Sequence, residues 1–270
     1  MTRIYSLAYL TSAPMAPAEA LTLAGKLGYQ AIGARIAPAM PGGEFSPLAT
    51  DAAMLRDTIR RMGDTGVSVF DVEIVRLGAD FKPEHVAAFL DVAAQLKARA
   101  ILVAGDDPDE ARLTASYAAF CRAAAPFGLT ADLEFMPWTA VKDAKTALRI
   151  VTNAAQPNGR VLVDALHAAR STTTLDDLAS LPRGFLSYAQ LCDAPGGIPA
   201  THEELIYTAR SARLLPGDGG IDLRGMLRAL PSDLPISLEI PNDEALAKLG
   251  QEEWARRALA AARKIVEDVG

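Results

Sequence analysis

Four oxygen-bearing side chains close short apolar runs in the second half of the chain. Glu134 closes Ala131-Asp132-Leu133-Glu134-Phe135 and Asp164 closes Val161-Leu162-Val163-Asp164. Gln190 closes Leu186-Ser187-Tyr188-Ala189-Gln190, and Glu239 closes Ile236-Ser237-Leu238-Glu239-Ile240. Three carboxylates brought close together repel one another, so either their pKa values rise sharply or a cation sits among them. Three acids and an amide oxygen make a hard, oxygen-only donor set. Such a set selects one divalent ion, Mn²⁺ or Mg²⁺ first and Co²⁺ or Zn²⁺ after them, over a thiolate-bound metal. With one such ion the three acids would keep a net charge of −3 + 2 = −1.

Other side chains gather around the same run ends. His167 lies three residues past Asp164 in Asp164-Ala165-Leu166-His167. Arg170 follows it, and Arg213 opens Arg213-Leu214-Leu215-Pro216-Gly217-Asp218-Gly219. Both arginines could bind a carboxylate, a phosphate or a polarised hydroxyl, or could pair with a neighbouring acid. Glu73, in Asp71-Val72-Glu73-Ile74-Val75, either points inward or pairs with Arg35 of the second run. Trp138, four residues past Glu134, offers an apolar wall for a ring or carbon chain, or simple packing. His85 and His202 fall in helical segments and read as ordinary helix residues.

The elements that must position these residues alternate. A short, near-continuous apolar run precedes a longer helix-period run, and the pair recurs about every 30 residues, roughly the size of one strand–helix unit. Strand candidates span 4–10, 31–36, 67–75, 100–104, 130–135, 160–164, 185–190 and 236–240. Near-continuous apolar runs are what parallel strands covered on both faces require. Helix starts are signalled by Asp107-Pro108-Asp109-Glu110 (an N-cap, a Pro at the first position and an acid at the third), Thr201-His202-Glu203-Glu204, Lys82-Pro83-Glu84 and Thr174-Leu175-Asp176-Asp177. Gly28, Gly63 and Gly128 sit where helices should stop, and a last helix is expected over 251–269. Eight such units predict an α/β fold, a single-domain (β/α)8 TIM barrel over 1–270. A doubly wound open sheet is the alternative, but the first run ends in Tyr9-Leu10-Thr11-Ser12-Ala13-Pro14 and carries no GxGxxG turn. Two long connections, 37–50 and 192–221, follow strands and should lie on the active-site face.

Composition removes several classes of function. The chain is 270 residues long, and with hydrophobic residues at 50% it can bury a large core, so it is not a disordered chain. A formal charge of −6 with no basic run makes nucleic acid and anionic membranes unsuitable partners. No apolar stretch approaches the roughly 18 to 20 residues that span a bilayer. The start, Met1-Thr2-Arg3-Ile4-Tyr5, does not read as a signal peptide. The two cysteines, Cys121 and Cys192, form no disulfide framework or CxxC motif, and a reducing, cytoplasmic setting is expected.

Taken together, Glu134, Asp164-x-x-His167, Gln190-x-x-Asp193, the Arg213-x-x-Pro-Gly-Asp-Gly stretch and Glu239 resemble the xylose isomerase-like TIM barrels. That superfamily holds sugar isomerases and epimerases, inosose and 3-dehydroshikimate dehydratases, and endonuclease IV. The resemblance implies that Glu134, Asp164, Gln190 and Glu239 ligate the metal. It makes His167 a substrate-contacting or acid/base residue and Arg213 a substrate anchor. Ketose 3-epimerases of the superfamily usually carry His where this chain has Gln190, a departure that favours the dehydratase branches. The several His ligands of a trinuclear endonuclease site have no counterpart among three histidines.

The chemistry so implied is removal of a proton from carbon beside a carbonyl, with the metal as Lewis acid stabilising an enediolate and Glu134 or Glu239 as base. Returning the proton to the neighbouring carbon isomerises, returning it to the other face epimerises, and expelling a β-hydroxyl, with His167 as acid, dehydrates. The leading reading is an isomerase/epimerase-type enzyme acting on a small molecule: a keto-sugar, a polyol ketone or a hydroxy-acid. A dehydratase of a 3-dehydroshikimate- or inosose-like ketone is the second, with Arg170 or Arg213 on any carboxylate. A non-catalytic binding barrel is the third. Members of the superfamily often form homodimers.

Overall fold

The computed structural model describes residues 3–269. Eight parallel strands close into a barrel in sequence order: β1 (Tyr5–Leu7), β2 (Ala31–Arg35), β3 (Ser68–Leu77), β4 (Ala100–Gly105), β5 (Thr130–Glu134), β6 (Gly159–Asp164), β7 (Ala189–Leu191) and β8 (Ile236–Leu238). The ring closes where β8 pairs β1 through Tyr5↔Ile236, Ser6↔Ser237 and Leu7↔Leu238. The fold is a (β/α)8 TIM barrel. The helices are α1 (Tyr9–Ser12), α2 (Pro17–Leu27), α3 (Ala52–Thr65), α4 (Ala87–Gln95), α5 (Glu110–Ala124), α6 (Ala144–Ala154), α7 (Ala165–Ala169), α8 (Leu175–Ala179), α9 (His202–Ser211), α10 (Leu223–Ala229), α11 (Asp243–Leu249) and α12 (Gln251–Glu267). Among the described residues, no helix is long and apolar enough to cross a membrane.

Local chemistry sets most boundaries. Asp51, Asp109, Asp143, Asp222 and Asn242 each accept a backbone N–H in the first turn of the helix that follows, and Thr174 does so within a reciprocal capping box. Some boundaries differ from the sequence expectation. The cap of α5 is Asp109 rather than Asp107, because Asp107 is buried and grips Arg112. Gly63 lies inside α3, and Gly66, at φ +69°, is the left-handed residue that ends it. The first strand stops at Leu7, where α1 follows, and the seventh starts late because Arg183–Phe185 forms a 3-10 turn. Cys121 and Cys192 are buried free thiols.

The packing has two parts. Leu, Ile, Val and aromatic side chains fill the space between strands and helices. Inside the barrel a smaller apolar cluster holds Ala31, Phe70, Ala100, Leu102, Leu162 and Tyr188. Alternation along a strand puts residues two apart on the same face. Asp132 therefore lies under Glu134, and Ser237 under Glu239, both fully enclosed.

The connection after β7 is held by one carboxylate. Asp193 is buried and accepts backbone N–H groups from Ala194 (2.8 Å), Gly217 (3.0 Å), Gly219 (3.0 Å) and Ile221 (3.1 Å). The backbones of Asp193 and Leu214 pair as an antiparallel bridge, and that of Arg213 bonds Pro241. A Cβ on Gly219 would stand 2.3 Å from Ala194 O and Asp193 Oδ1, so no larger residue fits there. The expected long loop is thus folded, contains α9, and returns to the barrel mouth at Arg213. Replacing Asp193 with Ala removes an acceptor shared by several buried donors. The expected loss in urea denaturation is about 3 kcal/mol or more, with Gly219→Ala also destabilising.

Candidate active site

The C-terminal ends of the strands converge on a polar cleft with about 70 Å³ of room. Arg35 and Glu73 reach it from β2 and β3, and Glu134 from β5. Trp138 and His167 form part of its wall, and Arg213 and Glu239 complete it. Asp164 and Gln190 are buried beside them, bonded to Arg213 and Glu239 respectively.

Arg213 joins two of the acids. Its guanidinium lies 2.6 Å from Asp164 Oδ2 and 2.8 Å from Glu239 Oε2, and its Nε donates to Ala209 O at 2.9 Å. The side chain is fully buried, so this cation is committed to neighbouring acids. Gln190 Nε2 donates to Glu239 Oε1 at 3.1 Å, which leaves the amide oxygen of Gln190 without a partner. Glu134 Oε1 is likewise buried with no hydrogen-bond partner, 3.5 Å from His167 Nε2. Asp164 Oδ1 accepts the His167 backbone N–H at 3.0 Å and lies 3.9 Å from His167 Nε2. Glu134, Asp164 and His167 each offer a ligand atom within 4.8 Å of the other two. The imidazole meets the Trp138 ring edge-on, centroids 5.0 Å apart.

Burial governs the titration of the site. It pushes the Glu134 carboxyl well above its usual range, and the negative charges of Glu239 and Asp164 push it further. Burial raises Glu239 to about 7 against the opposing pull of Arg213. Burial also acts on Asp164, but Arg213, His167 and the backbone N–H together outweigh it and hold this acid low. His167 is lowered to about 4 by burial and is neutral near pH 7. Among the groups at the ion-paired centre, four acids (Glu73, Glu134, Asp164, Glu239) stand against two arginines (Arg35, Arg213), a formal balance of −4 + 2 = −2, while Arg76 is cancelled by Asp106 and the exposed Arg210 adds one positive charge at the rim. Unpartnered oxygens on Glu134 and Gln190, a neutral imidazole and a deficit of two charges fit a divalent cation.

The other predicted residues divide. Arg35 pairs with Glu73 at 3.0 Å and stacks over Tyr9, 4.5 Å from the ring centroid, so that inferred pairing is present. Trp138 lines the cleft. Arg170 does not: it follows α7, and its guanidinium donates to Pro195 O outside the cleft lining. Its buried Nε has no partner. Two lining arginines were not singled out from the sequence. Arg76 forms a bidentate pair with Asp106 at 2.7 and 2.8 Å, and Arg210 lies in the last turn of α9. Arg210 precedes Arg213 by three residues, a spacing that shares a face while the chain is helical. Below the cleft, Asp71 and Asp132 are buried acids raised chiefly by desolvation, Asp132 to about 6.

A family model described as the xylose isomerase-like TIM barrel matches residues 21–265. The chain belongs to the xylose isomerase-like TIM barrel family. A 3-dehydroshikimate dehydratase of Pseudomonas aeruginosa is 30% identical over 124 residues, 44% of this chain and 19% of that protein. The matched stretch is thus a minor part of that relative's length. The solved structure of an IolI protein with a bound zinc atom superposes with a TM-score of 0.81 at 17% identity, covering 100% of this chain and 99% of that one. An L-ribulose 3-epimerase gives 0.72 at 16% identity, covering 100% and 96%. These two likenesses show the fold.

Two outcomes test the electrostatics. Glu239 is protonated below about pH 7 and would have to lose its proton to ligate a cation. Because burial raises Glu134 as well, Mn²⁺ affinity measured by titration calorimetry should rise with pH through pH 7, by up to about tenfold per pH unit for each proton displaced, and flatten only once both carboxyls are ionised. Replacing Arg213 with Met leaves Asp164 and Glu239 without their cation. The metal-free variant should lose about 3–5 kcal/mol of stability, and Mn²⁺ should raise its Tm more than that of the wild type.

Proposed function

We propose that the chain is a divalent-metal-dependent isomerase/epimerase-type enzyme that removes a proton next to the carbonyl of a polyhydroxylated small molecule. The observation that supports it most is the convergence of buried acids around unpartnered Glu134 Oε1 and Gln190 Oε1, two charges short of neutrality. Glu134, Asp164, Gln190 and Glu239 would hold the ion, with His167 close enough to join them. When bound, a divalent cation supplies Lewis acidity to the carbonyl and hydroxyl oxygens of the substrate.

The chain's own groups do the rest. Glu134 and Glu239 have raised pKa values and are therefore stronger bases than ordinary carboxylates once ionised. One of them takes the proton from carbon and returns it to the neighbouring carbon or to the opposite face. His167 is neutral near pH 7, so it serves as a hydrogen-bond donor or acceptor to a substrate oxygen rather than as an imidazolium acid. Trp138 fixes the imidazole from the side and, with Leu102 and Met136, excludes water along one wall.

A dehydratase is the second reading, favoured by the 3-dehydroshikimate dehydratase relative and by Gln190 at the third ligand position. The two share the proton-abstraction step and differ in whether a β-hydroxyl leaves.

The test begins with elemental analysis of wild type beside Glu239→Gln. About one divalent ion per chain, reduced in the variant, is expected. Keto-sugars, inososes and 3-dehydroshikimate are then incubated in D₂O. Deuterium should enter at the carbon beside the carbonyl, and Glu134→Gln should slow this by roughly 10²-fold or more. Full exchange and full metal content in Glu134→Gln would overturn the assignment. Appearance of an unsaturated, dehydrated product would select the second reading.

A further inference from the structure

One inward step below the cleft, the barrel is polar again. Asp71 precedes Glu73 by two residues, Asp132 precedes Glu134, Tyr188 precedes Gln190 and Ser237 precedes Glu239. Two residues along a strand is one step on the same face, about 6–7 Å. Ser6 joins this layer, because it pairs Ser237 where β1 meets β8 while its neighbours Tyr5 and Leu7 pack outward. All five side chains are almost wholly enclosed.

Five oxygens of this layer have no hydrogen-bond partner: Ser6 Oγ, Asp71 Oδ1, Asp132 Oδ1, Tyr188 Oη and Ser237 Oγ. Buried polar atoms of that kind are rare and each is costly, so five in one layer point to a shared ligand. Ser6 and Ser237 are register partners on adjoining strands. Asp71 pairs Gly33 of β2, and its carboxyl oxygens stand 3.0 and 3.2 Å from where a Cβ on Gly33 would lie. The carboxyl therefore uses the room that this glycine leaves inside the barrel. The Tyr188 ring meets Phe70 edge-on, centroids 5.3 Å apart, within the apolar cluster of the interior. Its phenol is raised chiefly by burial and then by the charges of Asp71 and Asp132, so its hydroxyl lies near both.

Charge decides the kind of ligand. Among the described residues neither Asp71 nor Asp132 makes an ion pair, and Arg35 and Arg213 are spent on the acids of the layer above. Asp132 Oδ2 accepts from Thr130 Oγ1 at 2.5 Å, a separation typical of a hydroxyl on an ionised carboxylate. Two carboxyls in one low-dielectric space keep a proton between them, so the layer carries a charge near −1. Water alone would satisfy the hydroxyls and leave that charge buried. A monovalent cation satisfies both. An oxygen-only set with no imidazole or thiol suits a hard ion. Phe70, Leu102 and Leu162 pack the rest of the interior, which favours a small one.

We propose that the barrel interior beneath the cleft binds one sodium ion, held by Asp71 and Asp132 with the hydroxyls of Ser6, Tyr188 and Ser237. The site is separate from the donors of the cleft and does not depend on the metal-dependent reading. The ion joins five segments of the barrel and fixes the floor under Glu73, Glu134, Gln190 and Glu239.

The test compares thermal unfolding in NaCl, KCl and tetramethylammonium chloride, each at about 0.15 M. Tetramethylammonium matches the ionic strength and is too large for an enclosed site. Tm should be higher in NaCl than in tetramethylammonium chloride by about 2 °C or more, and should climb as NaCl replaces it at constant total salt. Ser237→Ala and Tyr188→Phe each remove one ligand and should shrink that difference with the divalent-ion content unchanged. Asp132→Asn should abolish it. Crystals grown in NaCl should show an atom in this layer whose oxygen contacts are shorter than the roughly 2.7 Å of a hydroxyl hydrogen bond. Equal Tm in all three salts overturns the site. So does density with contacts of hydrogen-bond length alone, which identifies ordered water only. A larger shift in KCl than in NaCl overturns the sodium assignment. A sodium-specific shift in a protein that takes up no divalent ion sinks the metal-dependent reading alone.

Discussion

The site depends on a buried arginine. Arg213 bonds Asp164 on β6 and Glu239 just past β8, and so holds together acids that would otherwise repel in a low-dielectric pocket. An ion pair of this kind is expensive to bury, and its presence is weak evidence for stability in itself. What it fixes is geometry. With Oδ2 of Asp164 and Oε2 of Glu239 occupied, Asp164 Oδ1 lies near His167 and Glu239 Oε1 near the Gln190 amide. The donor atoms therefore have assigned directions before any ligand arrives.

That arginine is delivered from outside the barrel wall. Asp193 gathers backbone N–H groups from both sides of the return path, and Gly219 permits the close approach. One buried carboxylate thus couples the stability of the 192–221 segment to the placement of Arg213. The same segment carries Arg210 to the rim, so the cation that neutralises the acids and the cation left unengaged share one support.

The polar interior also explains why the titration pattern spreads over the layer. Glu134 and Glu239 rise because burial acts on both and each feels other acids, whereas Asp164 stays low because Arg213 and His167 face it. Three carboxyl groups at the ends of β5, β6 and β8 therefore behave differently although they share one pocket. His167 is driven the other way, towards neutrality, by the same desolvation.

Much of this was legible in the chain itself. Near-continuous apolar runs at regular spacing determine parallel strands covered on both faces, and eight of them determine a closed ring. A polar side chain that closes a parallel barrel strand lies at the C-terminal mouth, which is why the positions of Glu134, Asp164, Gln190 and Glu239 were legible in the sequence. Local signals were weaker at the boundaries: Asp107 looks like a cap as readily as Asp109 does until burial and Arg112 claim it. The partners of the arginines depended on tertiary structure alone. Arg35, Arg170, Arg210 and Arg213 are alike in sequence, and a flexible, five-donor side chain can reach many acceptors. Only the folded 192–221 segment decides that Arg213 is spent on acids, that Arg170 turns to Pro195, and that Arg210 stands free at the cleft, because those distances join residues far apart in the chain.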